Sequence, residues 1–188
     1  MFNLGIDVAK AKLDCALRLP NGKHRNKVVE NNAKGFAALS EWLLKHDASS
    51  PRVCMEATGT YWEGVAEYLA GLGMVVSVIN PAQIKAFGAS RMVRTKTDKV
   101  DAQLIADFAH ERQPEPWIAP SPSAQALRAL VLRLEAVQAM RLQETNRLDV
   151  AREAVRQGIE DHIDWLDREI KELIRAIKRH IDDDPDLR

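Results

Sequence analysis

The chain is 188 residues long, 46% hydrophobic and 29% charged, and its 27 Lys and Arg cancel its 27 Asp and Glu to a net charge of zero. That length supports one sizeable core with an appendage, and the neutral balance means that binding to a polyanion must come from local charge rather than from the total. No apolar run approaches the roughly 20 residues that span a bilayer, and Met1-Phe2-Asn3-Leu4-Gly5 lacks the basic start and apolar stretch of a secretory signal, so a cytoplasmic protein is expected.

In chain order, residues 3–9 read as a strand, and residues 12–19 alternate through Leu13, Cys15, Leu17 and Leu19 with the period of two of a half-buried strand. Pro20-Asn21-Gly22 then turns the chain; Asn-Gly favours the positive φ angles of a tight hairpin, so residues 23–30 are predicted to return as a third, antiparallel strand. From there the spacing changes to that of a helix, through Phe36, Leu39, Leu43 and Leu44, with Asn31 or Asn32 as N-cap and an end near His46. Residues 52–56 form a short apolar run bounded by Ser49-Ser50-Pro51 and Thr58-Gly59, as a buried strand does. A helix over 61–72 turns Val65, Tyr68, Leu69 and Leu72 inward and stops at Gly71 or Gly73. Residues 74–79 are a further apolar strand, Asn80-Pro81 breaks it, a short helix covers 82–87, and another helix starts near Thr97. Cys15 and Cys54 fall within strand patterns without metal-binding spacing and read as buried, reduced thiols.

Three strands followed by alternating helices and strands imply an α/β domain. Its mixed sheet would have a hairpin edge, parallel pairing through right-handed crossovers, and helices on both faces. This is the layout of a ribonuclease-H-like domain. Pro114, Pro116, Pro120 and Pro122 then cluster, so the preceding helix cannot continue and a domain boundary falls near residue 120. In the second part, residues 121–188, Leu127, Leu130, Leu134 and Val137 follow a four-three rhythm that blurs through Arg141 and Glu144 before Leu148 and Val155. Gly158 reads as a break. Ile159, Ile163, Leu166, Ile170, Leu173, Ile177 and Ile181 then repeat cleanly, which gives an α-helical coiled-coil hairpin. Its narrow seam would leave a lone hairpin marginal, so self-association is the natural way to bury it.

Four carboxylates stand out. Asp7 interrupts the strand Leu4-Gly5-Ile6-Asp7-Val8, where an unpartnered acid is costly to bury. Glu56 ends a second strand, and Asp98 and Asp101, three apart, share one helical face. In an open α/β sheet the site lies outside the carboxyl ends of the strands, so neighbouring strands would bring Asp7 and Glu56 together while the helix carries in Asp98 and Asp101. Carboxylates so packed repel unless neutralised, and hard oxygen ligands suit Mg²⁺ or Mn²⁺. Two such ions about 4 Å apart serve phosphoryl transfer on nucleic acid. Taken singly, the acids have plainer readings: Glu56 as a helix cap, Asp98 as a helix N-terminal charge, Asp101 as a surface partner of Lys99 or Arg94. Lys85, Arg91, Arg94, Lys96 and Lys99 form a basic strip suited to a nucleic-acid backbone, or else a solvated loop. Thr58, in Thr58-Gly59-Thr60-Tyr61-Trp62, opens a helix whose amides suit a phosphate, and Trp62 either stacks on a base or covers the core.

The segments GIDVAK at 5–10, MEATGTYW at 55–62, INPAQIKAF at 79–87 and RTKTDKVDAQLIADF at 94–108 closely resemble the DEDD transposases of bacterial insertion sequences, relatives of the pilin-gene invertases. The resemblance covers essentially the whole chain. It implies a RuvC-like domain over 1–120 with Asp7, Glu56, Asp98 and Asp101 as catalytic metal-binding tetrad, and a coiled-coil segment that joins subunits. It further implies DNA as substrate, a structured guide RNA as partner, and a C-terminal domain with a DNA-binding element and an attacking serine. The chain ends about where that domain would begin, and neither Ser121 nor Ser123 lies in a segment that could inherit the serine's role. Two other functions remain open: a stand-alone nuclease of the Holliday-junction resolvase type, and a non-enzymatic regulator that pairs with a full-length transposase.

Overall fold

The structure is a computed structural model that describes residues 1–91 and 97–185. The chain divides into two compact units, Met1–Ala119 and Pro120–Arg188. Among the described residues no helix is long and apolar enough to cross a membrane.

The first unit is built on a five-stranded sheet. Its strands are β1 (Asn3–Val8), β2 (Lys12–Arg18), β3 (His24–Glu30), β4 (Arg52–Glu56) and β5 (Val76–Ile79), arranged in the order β3-β2-β1-β4-β5. The pairs β1–β2 and β2–β3 are antiparallel, whereas β1–β4 and β4–β5 are parallel. This is the mixed sheet, with a hairpin edge and parallel crossovers, that the order of elements implies. Alternation along the strands separates two cores. Leu4, Ile6, Leu13, Leu17, Val53 and Met55 face one side and pack with α1 (Ala33–Leu44) and α2 (Glu63–Gly71). On the other side Cys54 and Ile79 meet Ile84 and Phe87 of α3 (Pro81–Ser90) and Ile105, Phe108 and Ala109 of α4 (Asp98–Arg112).

Local chemistry explains the ends of these elements. Asn32 is the N-cap of α1, its side chain accepting from the Gly35 amide at 2.9 Å. Asn80 accepts from the Ala82 amide, which starts α3 at Pro81, and the helix runs to Ser90, beyond the short one expected over 82–87. The helix expected from residue 61 starts two residues later, at Glu63, because Gly59 turns with φ 59° and Thr60 accepts from the Glu63 amide. Likewise β5 begins at Val76 rather than 74, since the Met74 amide is still bonded to the Leu69 carbonyl in a turn around Gly73, φ 80°. Past α4 the proline-rich segment is not free linker: Pro114 accepts from Arg52 and Ser77, and the Trp117 amide donates to Val76 at 2.7 Å.

The second unit is a helical hairpin of α5 (Pro122–Asp149) and α6 (Glu153–Asp183). Ser121 caps α5. The break expected at Gly158 lies instead at residues 150–152; Gly158 is inside α6, with nothing near where a side chain would point. The blurred stretch of the seam is a polar layer. Glu144 is buried, accepts from Arg147 at 2.6 Å and faces His162 at 3.5 Å, while Arg141 is paired with Asp167 across the hairpin.

Candidate active site

Helix α4 lies against the backbone of β1 because the residues between them are small. A Cβ at Gly5 would stand 2.2 Å from the Ala102 carbonyl oxygen and 2.3 Å from the Ala106 nitrogen, and Ala16 completes the contact. Further bonds fix the direction of α4: His110 meets Asn3 at 3.3 Å at the start of β1, Asp107 accepts from Arg18 at 3.0 Å, and Gln103 donates to Asn26 at 3.1 Å. The helix therefore runs antiparallel to β1, and its N-terminus arrives at the carboxyl end of that strand. Thr97 caps it, its hydroxyl accepting from the Val100 amide, and Asp98 and Asp101 occupy the first turn, where the helix dipole favours negative charge.

Asp7 receives the resulting charge. Burial first, then Asp101, Asp98 and Asp14, push its carboxyl up to about 6, with Lys12 pulling the other way. Asp98 and Asp101 thus converge on Asp7. Glu56 lies one rung beyond the last paired residues, Ile6 and Met55, on the same side of the sheet as Asp7. It helps burial to push the Cys54 thiol up to about 12. Asp14 is an acid that the sequence reading passed over. It is 8% exposed and pairs directly with Asp7 across the β1–β2 ladder. A hairpin closed about residues 10 and 11 puts Asp14 opposite Asp7, and that register was the available signal. Lys12 stands 2.9 Å from Asp14 and 2.6 Å from Asp98. Asp98, expected as a helix N-terminal charge, is thus also paired with a lysine from the sheet.

This donor set is all oxygen, which suits a hard divalent ion. As the side chains stand, no three His, Cys, Asp or Glu among the described residues are gathered so as to hold a metal ion. The remaining candidates scatter. Thr58, Lys85 and Lys99 are exposed. Arg91 is engaged within the fold: its guanidinium binds Asp107 and Glu111 and lies over the Phe87 ring at 4.7 Å, so its charge is already compensated rather than displayed. Trp62 is also a correction. It is 8% exposed, donates its indole N–H to the Gly59 carbonyl at 3.0 Å and packs edge-on against Trp117, which leaves no face for a base. Arg94 and Lys96 lie outside the described residues.

Several known proteins are similar. Among curated proteins, the pilin gene-inverting proteins of Moraxella bovis and Moraxella lacunata are 32% and 31% identical over 98% of this chain, which spans 58% of their length. Among solved structures, Thermus thermophilus RuvC is 18% identical, matches 62% of this chain and all of its own with a TM-score of 0.46, and its complex with a Holliday junction substrate scores 0.42 at 17% identity. The family model for IS110-type DEDD transposases, described as "Transposase", matches residues 4–151. By that match, which takes in all of the acid-bearing sheet but Asn3 and the whole of α5, the chain belongs to the IS110-type DEDD transposase family.

Proposed function

We propose that this chain carries the nuclease portion of a DNA transposase or recombinase and acts in metal-dependent phosphoryl transfer on DNA. The observation that carries this reading is the convergence of Asp101, Asp98 and Asp14 on the half-buried Asp7 at the carboxyl end of β1, where burial first and these acids second push its carboxyl up to about 6. Asp7, Glu56, Asp98 and Asp101 would hold Mg²⁺ or Mn²⁺, two ions in all. Such ions, when bound, supply Lewis-acid stabilisation to the attacking and leaving oxygens of a phosphodiester. The protein's own part is to bring these acids together: β1 and β4 fix Asp7 and Glu56, and the close seat of α4 on Gly5 fixes the height of Asp98 and Asp101. Lys85, Lys99, Arg94 and Lys96 would meet backbone phosphates, with Thr58 beside them.

The family supports a reaction completed elsewhere in a longer protein, with a serine from a further domain as nucleophile and a structured RNA as guide, working in the cytoplasm. The names of the pilin gene-inverting relatives support DNA rearrangement as its outcome. The hairpin supports self-association: Val137 and Leu166 are fully buried, while Leu132, Met140, Leu142, Trp165 and Ile174 stay exposed along the helices. Calorimetric titration of the chain with Mn²⁺, with and without Asp7→Asn, tests the site. Binding that Asp7→Asn weakens at least about tenfold is expected, and equal binding by both proteins would remove Asp7 from it. Incubation with branched DNA and Mn²⁺ separates the rival: nicking by this chain alone would favour a stand-alone junction nuclease.

A further inference from the structure

The acids converge without forming a metal-binding cluster, and a lysine stands among them. Lys12, the first residue of β2, directs its ammonium to Asp98 at 2.6 Å and to Asp14 at 2.9 Å. One of these carboxylates belongs to the sheet and is largely buried, at 11% side-chain exposure; the other belongs to the first turn of α4 and is 58% exposed. An isolated pair between such exposed side chains would mean little. Here a single cation joins two acids from two elements, beside a third, Asp7, that both of them repel. That is the part a divalent ion would take, played by a tethered monovalent one.

We propose that Lys12 is a built-in counter-cation of the site: it holds Asp98 against Asp14 in the metal-free protein, and its ammonium must leave Asp98 before that carboxylate can ligate a divalent ion. The inference rests on the metal-binding reading of the site. A lysine suits the task, because its ammonium is a compact charge with three donors on a flexible four-carbon stem and can swing aside without moving the backbone. At 46% side-chain exposure, Lys12 has water into which to swing. Lys12 is thus a positioning residue, and it competes with the ion that the site takes up. Lys99, which lines a small hollow beside Asp14 together with Lys27 and Asn26, provides the comparison as a nearby cation.

The test is a Mn²⁺ titration of the full chain, read by calorimetry and by the spin-resonance signal of free Mn²⁺. Wild type would be compared with Lys12→Gln, Lys12→Arg and Lys99→Gln. Lys12→Gln keeps hydrogen-bonding capacity without the charge and should bind Mn²⁺ at least about fivefold more tightly. Lys12→Arg should bind no better than wild type, and Lys99→Gln should change affinity less than Lys12→Gln. Wild-type binding with no gain in Lys12→Gln overturns the assignment of Lys12 alone. Binding by neither protein overturns the metal reading together with it, and binding only by Lys12→Gln supports the proposal outright. A readout on the unaltered protein guards against a variant that does not fold: the Lys12 side-chain carbon resonances should shift as Mg²⁺ is added, and metal binding that leaves them unmoved also overturns it.

Discussion

Asp7 shows how burying a single carboxyl among other acids costs the fold stability. Its carboxyl is raised from an ordinary 3.8 to about 6, chiefly by burial and then by Asp101, Asp98 and Asp14. Between those values the folded state holds a proton that the unfolded chain has released, so the folded state binds more protons there and stability falls as pH rises from about 4 to about 6. Above that window Asp7 is ionised and the full cost is present. Asp7→Asn should therefore be more stable than wild type by about 1 kcal/mol, after allowance for solvent screening, and unfold at higher temperature at pH 7.5 in the presence of a chelator. That advantage should fade near pH 4, and thermal melts of both proteins at the two pH values check it. The thiols are raised for a simpler reason: burial pushes Cys15 and Cys54 up, Cys54 to about 12. Neither should react with iodoacetamide at pH 8 until the protein unfolds, and rapid modification of the native chain would contradict their burial.

At the scale of elements, the contact of α4 with β1 decides the site, since α4 brings two acids to a strand that carries a third. Gly5 makes the contact possible. The atoms that a Gly5→Ala methyl would meet, Ala102 O and Ala106 N, are backbone and cannot rotate away. The helix itself has to lift. Gly5→Ala should destabilise the chain by about 3 kcal/mol in denaturant unfolding, at the upper end of overpacking costs, and should weaken Mn²⁺ binding as Asp98 and Asp101 retreat. In the hairpin the polar layer of Glu144, Arg147 and His162 interrupts an apolar seam. Such layers fix register more often than they add stability. Glu144→Leu should leave helix melting, followed by circular dichroism, unchanged or raised by about 1 kcal/mol, and a large loss of stability would show instead that the layer holds the hairpin together.

At the scale of the molecule, the chain falls into two units: an acid-bearing sheet and a long hairpin whose outer faces keep apolar side chains. A chain of zero net charge gains nothing from its total charge in approaching DNA, so the proposed binding would rest on a few cations. Replacing Lys85 and Lys99 together by Ala should weaken DNA binding across sequences and reduce the slope of log affinity against log salt by about 2. An unchanged slope would place the phosphate contacts elsewhere. The hairpin should bring copies together, and sedimentation velocity should report a species larger than the monomer. Trp165→Glu combined with Ile174→Glu should shift it towards the monomer if those exposed side chains form the contact.

Periodicity and turn chemistry by themselves determined the strands, the helices and their order, because alternation, helical spacing, Asn-Gly turns and Asn caps act within a few residues of where they are read. They also marked Asp7, Glu56, Asp98 and Asp101, since a carboxylate in an apolar run is conspicuous wherever the chain later goes. Register and helix placement belonged to the tertiary structure. Asp14 looks like an ordinary outward residue of a half-buried strand until pairing sets it opposite Asp7 and α4 covers that face. Lys12 looks like a strand-end lysine until α4 brings Asp98 to it, across a separation of 86 residues. Trp62 and Arg91 look available until the core takes the first and Asp107 and Glu111 take the second. Burial and ion pairing are properties of what arrives from elsewhere in the chain, and a local pattern carries no record of it.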